Sequence, residues 1–152
     1  MANHEQPFKE RCINHAEKIA DNYFKKFDDV YYLKIGFDHV NRIPSKSWFK
    51  FPVFLRCMPD SIVVWKGKFY FIEVKGCHDS LKIKESDLEQ YKKWNEIADL
   101  KYFIFSSKTQ SIYLIDHNNL KNFKKVKIGH YKDNNKKYYE IDIEYLSEYK
   151  KD

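Results

Sequence analysis

Cysteine, glycine and proline are all scarce in this chain of 152 residues, at three, four and four. The cysteines, Cys12, Cys57 and Cys77, are odd in number and scattered, without the close pairs that a metal site uses. They read as reduced cytosolic thiols, and no zinc site is expected. No apolar run approaches the ~20 residues of a membrane span, and the opening MANHEQPFKERC lacks the apolar centre of a signal peptide. No membrane association is therefore expected. Internal repeats and low-complexity linkers are absent too, so residues 1–152 are expected to form a single domain.

What the chain does contain is apolar and basic. Hydrophobic residues make up 43% and aromatics 18%, which excludes a mainly disordered polymer. Lysine and arginine number 28 against 22 acidic residues, a net charge of +6, and the pI is near 9.0. That balance suits a polyanionic partner.

One segment carries chemistry. Met58 to Gly76 reads MPDSIVVWKGKFYFIEVKG, two strands joined by a turn at Lys66-Gly67-Lys68. Side chains alternate along a strand, so Glu73 and Lys75 share a face with Phe69 and Phe71, while Tyr70, Ile72 and Val74 take the other. Apolar residues on both faces mark a central, covered strand. Charges at the end of such a strand are costly unless paired or metal-bound. Asp60 opens the neighbouring strand, and pairing across the turn brings it close to Glu73 and Lys75. Hard divalent cations take such oxygen ligands, and magnesium often uses only one or two carboxylates plus water and phosphate.

Pro59, Asp60, Glu73 and Lys75, in this strand–turn–strand setting, resemble the motif of the PD-(D/E)xK nuclease superfamily. The resemblance implies an α/β, restriction-endonuclease-like core: a central mixed sheet flanked by helices in the order αβββαβ. The core would span about residues 8–116, with 117–152 as a C-terminal extension. It further implies catalytic roles for Asp60, Glu73 and Lys75. Asp60, Glu73 and the Val74 main-chain carbonyl would bind magnesium or manganese. The family often draws another glutamate from its first helix. Residues Phe8 to Phe27 show a helical stripe of Ile13, Ala16, Ala20, Tyr23, Phe24 and Phe27. Glu17 borders that stripe and is the candidate; Glu10 lies further round. Several branches place a glutamine in the helix after the motif, and Gln90 resembles it, although Trp94 stands where one branch has tyrosine.

The remaining elements follow from local pattern. Tyr31 to Phe37 reads as a strand and Asp38 to Ser47 as a polar loop. Trp48 to Cys57 contains Pro52 and reads as an edge strand or an irregular extended segment. Gly76 to Ser80 reads as a loop beyond the strand end, with Lys82 and Lys84 following it within reach of phosphate; His78 lies in this loop. Ser86 and Glu89 form a capping box for a helix whose apolar arc is Leu88, Tyr91, Trp94, Ile97 and Ala98, with Gln90 inside the arc. Tyr102 to Ser106 and Ile112 to Ile115 read as strands. In the tail, Asp133-Asn134-Asn135 reads as a turn, and Tyr139 to Tyr145 alternates as a half-buried strand. Arg56, Lys124 and Lys125, with Lys82 and Lys84, are the candidate nucleic-acid contacts.

Together these features imply a metal-dependent DNA endonuclease acting as a homodimer. Small stand-alone members of the superfamily, such as Holliday-junction resolvases and replication-repair nucleases, often cut by DNA structure. A restriction-type endonuclease or an exonuclease is the alternative within the class. A non-catalytic nucleic-acid-binding module on the same fold is the alternative outside it.

Overall fold

The computed structural model describes residues 6–36 and 45–152, with side chains at 15–36 and 47–152. The element order is α1 (Gln6–Phe24), β1 (Val30–Lys34), α2 (Ser45–Trp48), α3 (Val53–Arg56), β2 (Ser61–Trp65), β3 (Lys68–Cys77) and β4 (Ser80–Lys84). Then follow α4 (Glu85–Ile97), β5 (Leu100–Ser106), β6 (Ser111–Asp116), α5 (His117–Lys121), β7 (Lys127–His130), β8 (Lys137–Asp142), a 3-10 helix (Ile143–Tyr149) and β9 (Lys150–Lys151).

The central sheet has the strand order β1-β2-β3-β5-β6-β9. Neighbours run antiparallel except β3 and β5, which are parallel. That single parallel pair requires a crossover, and β4 and α4 supply it. The αβββαβ order is therefore present as α1, β1, β2, β3, α4 and β5. The β2–β3 hairpin closes through Lys66 and Gly67 alone, with Trp65 opposite Lys68. Both turn residues have positive φ, 49° and 75°. A type I′ turn demands this conformation, and Gly67 adopts it without a Cβ clash.

Two apolar layers clamp the sheet. On one face Ala16, Ala20 and Phe24 of α1 pack on Val63, Ile72, Val74, Phe103 and Phe105. On the other, Tyr91 and Trp94 of α4 pack with Phe71, Tyr102, Ile104, Leu81 and Ile83. The alternation expected of β3 is realised, since Phe71 and Ile72 fall into opposite layers. The tail belongs to the second layer: Leu120, Ile141, Ile143 and Leu146 are buried in it.

Several local expectations need correction. Trp48 to Cys57 is neither an edge strand nor extended; it holds the end of α2 and all of α3. Pro52 is the N-cap of α3, with φ −53° and ψ 144°, a place where its missing N–H costs nothing. Phe54 on α3 stacks on Trp94 at 4.2 Å, and the Trp94 indole donates to the Phe54 carbonyl at 3.0 Å, which holds this short helix against α4. Lys82 and Lys84 lie on a strand, β4, and the expected loop shrinks to the two residues between β3 and β4. β4 pairs with β8, and β8 with β7, as a separate three-stranded sheet. Helix α4 begins at Glu85, with Lys84 as N-cap and no side-chain capping bond, so Ser86 does not act as a cap. The alternation from Tyr139 onward stops at Asp142, where the chain tightens into a 3-10 helix. The expected turn is found: Asn135 donates its N–H to the Tyr131 carbonyl at 2.8 Å and has φ 54°, which asparagine tolerates.

Candidate active site

The β2–β3 register sets the site. Ser61 faces Ile72, so Asp60, one residue earlier, comes level with Glu73 at the end of the paired region. Three main-chain groups hold Asp60. The Val74 N–H donates to its carboxylate Oδ2 at 2.7 Å. The N–H groups of Ile35 and Gly36 donate to its carbonyl at 2.9 and 3.2 Å. Gly36 approaches so closely that a Cβ there would lie 3.4 Å from the Asp60 Cα and 3.6 Å from its carboxylate. Pro59 is fully buried beside it, which fixes the entry of the chain into β2.

Glu73 is 6% exposed on a central strand and makes two charge-assisted contacts. The Lys75 ammonium lies 2.9 Å from its Oε1, and the Tyr91 hydroxyl donates to the same oxygen at 2.6 Å. Lys75 also donates to the Tyr91 hydroxyl at 3.2 Å, so the three groups form a closed triangle. Such short bonds to an ionised acceptor are the strong class of hydrogen bond.

The electrostatics match this arrangement. Burial and then the neighbouring Glu73 charge push the Asp60 carboxyl well above the usual carboxylate range. The Val74 N–H and Lys75 pull it back, and Glu17 adds to the rise. Burial alone would lower the Lys75 ammonium, but the Glu73 carboxylate, their hydrogen bond, Asp60 and Asp87 outweigh it, and the net shift is upward. Burial and the Glu73 charge push the Tyr91 phenol up, so it remains a proton donor. At Asp60, burial and the Glu73 charge together outweigh the Val74 N–H and the Lys75 ammonium.

The structure thus brings together Asp60, Glu73, Val74 and Lys75 and puts Glu17 of α1 within electrostatic reach of Asp60. The Glu10 side chain lies outside the described residues. Gln90 is half-buried on α4, and its side-chain oxygen accepts from Lys93 at 3.4 Å. Its neighbour Tyr91 is the residue that reaches the triangle. Arg56 ends α3, stands 5.8 Å from the centre of the Phe49 ring and has a buried, unpartnered Nε. The adjacent Cys57 thiol is raised by burial, Asp87 and Glu73 and lowered by Lys75 and Arg56, which places the end of α3 beside the site. His78 is exposed and pairs with Ser107 at 2.9 Å, away from the triangle. Lys124 and Lys125 lie in the loop between α5 and β7, where Lys125 stands over Tyr145 at 4.5 Å. Arg42 and Pro44 fall outside the described residues.

Sequence reasoning missed Tyr91, Asp87 and a relay behind Asp60. In that relay Ser61 donates to the Tyr32 hydroxyl at 3.0 Å, and Tyr32 donates to Asp21 at 2.8 Å. Asp21 in turn pairs with Lys34 at 2.7 Å, which ties α1, β1 and β2 together. Tyr91 had a signal, since a tyrosine in an apolar arc needs a partner for its hydroxyl. Among the described residues no group of three or more His, Cys, Asp or Glu is arranged to hold a metal ion. The acidic donors at the sheet end are the pair Asp60 and Glu73.

The architecture is the restriction-endonuclease-like fold. It is similar to the structure of Hjc, a Holliday junction resolvase from Archaeoglobus fulgidus, with TM-score 0.54 and 12% identity, over 89% of this chain and 87% of that one. D212, a nuclease from a fusselovirus, aligns over 100% of this chain and 89% of its own at TM-score 0.48 and 14% identity. No family model matches the sequence, and no curated protein matches it significantly.

Proposed function

We propose that this protein is a metal-dependent DNA endonuclease that prefers branched DNA. The observation that carries the reading is the convergence of Asp60, Glu73 and Lys75 at one sheet end, with Asp60 anchored by the Val74 N–H at 2.7 Å. The fold similarity to a Holliday junction resolvase supports it.

The donor set fits a hard divalent cation. Asp60 and Glu73 offer carboxylate oxygens, and a cation would favour the charged form of the Asp60 carboxyl, which burial first and Glu73 second disfavour. Magnesium or manganese would be held by these two groups and the Val74 carbonyl, with water and phosphate completing the shell. When bound, such an ion lowers the pKa of a water and polarises a phosphate. Lys75, charged and held by Glu73 and Tyr91, would orient the attacking water and offset charge on the phosphate. Tyr91 would keep Glu73 and Lys75 in place, and Glu17 would add negative charge beside Asp60. Gln90 remains a candidate member of the catalytic site, and Arg56, Lys124 and Lys125 remain candidates for contact with DNA.

A homodimer is part of the reading. Tyr31, Val64 and Phe69 form one cross-strand row on β1, β2 and β3, and Leu33 and Ile62 continue the next. Tyr31 is 76% and Leu33 62% exposed, and apolar rows of this kind commonly mark an interface. Cys57 and Cys77 are free thiols, as suits a cytoplasmic enzyme, and among the described residues no helix is long and apolar enough to cross a membrane.

The test is cleavage of linear duplex, single strand, flap, four-way junction and RNA, with light scattering for the assembly. Metal-dependent cutting of the junction by a dimer is expected. A monomer that cuts one duplex sequence would favour a restriction-type enzyme, and degradation from free ends an exonuclease. Binding without cutting would favour a non-catalytic module.

A further inference from the structure

The small sheet β4-β8-β7 has one face turned into the core, through Leu81, Ile83 and Ile141. Its other face carries Ser80, Lys82 and Lys84 from β4, Tyr138, Glu140 and Asp142 from β8, and Lys127 and Gly129 from β7. The registers Lys84 opposite Tyr138 and Gly129 opposite Tyr138 set this row. Tyr131 follows directly and is 4.6 Å from Tyr138, ring centre to ring centre. The Tyr138 ring lies over Gly129 so closely that a Cβ there would come within 2.4 Å of it. A side chain at this position would push the Tyr138 ring aside.

The charges on this face are sorted. Asp142 pairs with Lys127 at 3.2 Å, and Glu140 accepts the Ser80 hydroxyl at 2.7 Å. Lys82 and Lys84 instead stand against aromatic rings, Lys82 5.2 Å from Tyr138 and Lys84 5.8 Å from Tyr131. Among the described residues neither forms an ion pair, so no carboxylate competes with an incoming anion for either group. Lys82 is exposed, and Lys84, Tyr131 and Tyr138 are partly so. Two lysines flanking two aromatic rings are the components of a surface that stacks bases and neutralises phosphates without reading sequence.

This face adjoins the candidate active site. Lys84 is the N-cap of α4, the helix that delivers Tyr91 to Glu73. Glu85 at the start of that helix pairs with Lys137 of β8 at 3.1 Å. Burial first, then Tyr138 and Asp87, raise the Tyr131 phenol, while the Lys75 ammonium opposes the rise. Tyr131 thus lies within electrostatic reach of the catalytic lysine.

We infer that Lys82, Lys84, Tyr131 and Tyr138 form a platform for single-stranded DNA, which receives the unpaired strand leading into or out of the site. The inference rests on the reading of the chain as a DNA-acting protein. It adds that unpaired nucleotides are recognised by stacking as well as by charge.

The experiment is fluorescence anisotropy of the full chain with labelled oligo(dT) and a blunt duplex of equal length, in chelator so that no strand is cut. Tyr131→Ala is expected to weaken oligo(dT) binding at least about fivefold, the scale for losing one stacked base, and duplex binding far less. Tyr131→Phe, which keeps the ring, should bind oligo(dT) as the wild type does. The pair Lys82→Gln and Lys84→Gln should lower the slope of log affinity against log salt by about 1 to 2, for two phosphate contacts. This pair serves as the test if Tyr131→Ala fails to melt cooperatively. Equal losses on oligo(dT) and duplex, or unchanged binding by a folded Tyr131→Ala, would overturn the platform. Oligo(dT) binding that follows this pattern without any cleavage would remove the nuclease reading and leave the platform standing. Cleavage without oligo(dT) binding would do the reverse.

Discussion

The Tyr91 hydroxyl donates to Glu73 Oε1 at 2.6 Å, across the interface between helix α4 and the central strand β3. This bond couples the packing of the helix to the geometry of the site, because Tyr91 is also a core residue, 4% exposed. Movement of α4 would carry away one of two groups that orient Glu73 and one of two that hold Lys75. The shape of the site thus depends on the hydrophobic layer beneath it.

Tyr91→Phe removes that hydroxyl and keeps the ring. Glu73 would lose a charge-assisted bond, worth about 1.5–3 kcal/mol, and retain Lys75. A lower melting temperature and a cleavage rate reduced about tenfold are expected, with DNA affinity unchanged. Single-turnover rates and thermal melting check this. Full activity in a destabilised Tyr91→Phe would confine the residue to packing.

Lys75→Ala is expected to slow cleavage at least ~100-fold, the scale for losing one electrostatic contact to the transition state. DNA binding should change little, since one of 28 basic residues is removed. Lys75→Arg keeps the charge but not the compact ammonium that fits between Glu73 and Tyr91, so only partial activity should return. Titration of binding beside the rate decides the point: a large loss of affinity at unchanged turnover would make Lys75 a binding residue.

His117 gives the fold a pH dependence of its own. It is 2% exposed, its Nδ1 meets the Tyr102 hydroxyl at 2.8 Å, and its Nε2 is buried without a partner. Burial, Lys121 and Lys92 lower its pKa from 6.5. The unfolded chain therefore takes up a proton before the folded one does as pH falls. The stability contribution is complete above about pH 6.5 and is lost progressively below it. His117→Asn should flatten that acid-side slope in melting experiments between about pH 7 and 5. An identical slope in the variant would assign the dependence to other groups.

The order αβββαβ and the meeting of Asp60 with Glu73 were legible because alternation and a two-residue turn are local signals. Phe69 to Lys75 carried both faces of a central strand, and Lys66-Gly67 set the register that brings Asp60 level with Glu73. What was not legible depended on contacts distant in sequence. Pro52 suited an edge strand equally well, and the contact that holds the helical segment in place, Phe54 stacked on Trp94, lies 40 residues on. Ser86 and Glu89 had capping spacing, but pairing of β4 with β8 brings Lys84 to the helix start and moves the cap upstream. Gln90 drew attention through family resemblance, whereas the helix phase set by Leu88 and Trp94 turns its neighbour Tyr91 to the site. The small sheet was hidden because β4 finds its partner across the whole of α4, β5, β6, α5 and β7.

Metal dependence is the most direct test of the site. Asp60 lies buried beside the Glu73 charge at the sheet end, and it resists ionisation through burial first and that charge second. Cleavage should require added magnesium or manganese and cease with chelator. Asp60→Asn keeps an acceptor for the Val74 N–H while removing the charge. The variant should fold with a melting temperature equal to or above that of the metal-free wild type, since repulsion with Glu73 is relieved. It should lose cleavage by at least ~100-fold. The wild type should gain stability as magnesium is added, because an ion that binds only the folded state shifts the equilibrium. Asp60→Asn should gain little. Calorimetric melting with and without the ion reads this independently of turnover. Cleavage by purified Asp60→Asn in chelator, or an equal magnesium shift in both proteins, would remove Asp60 from the metal site.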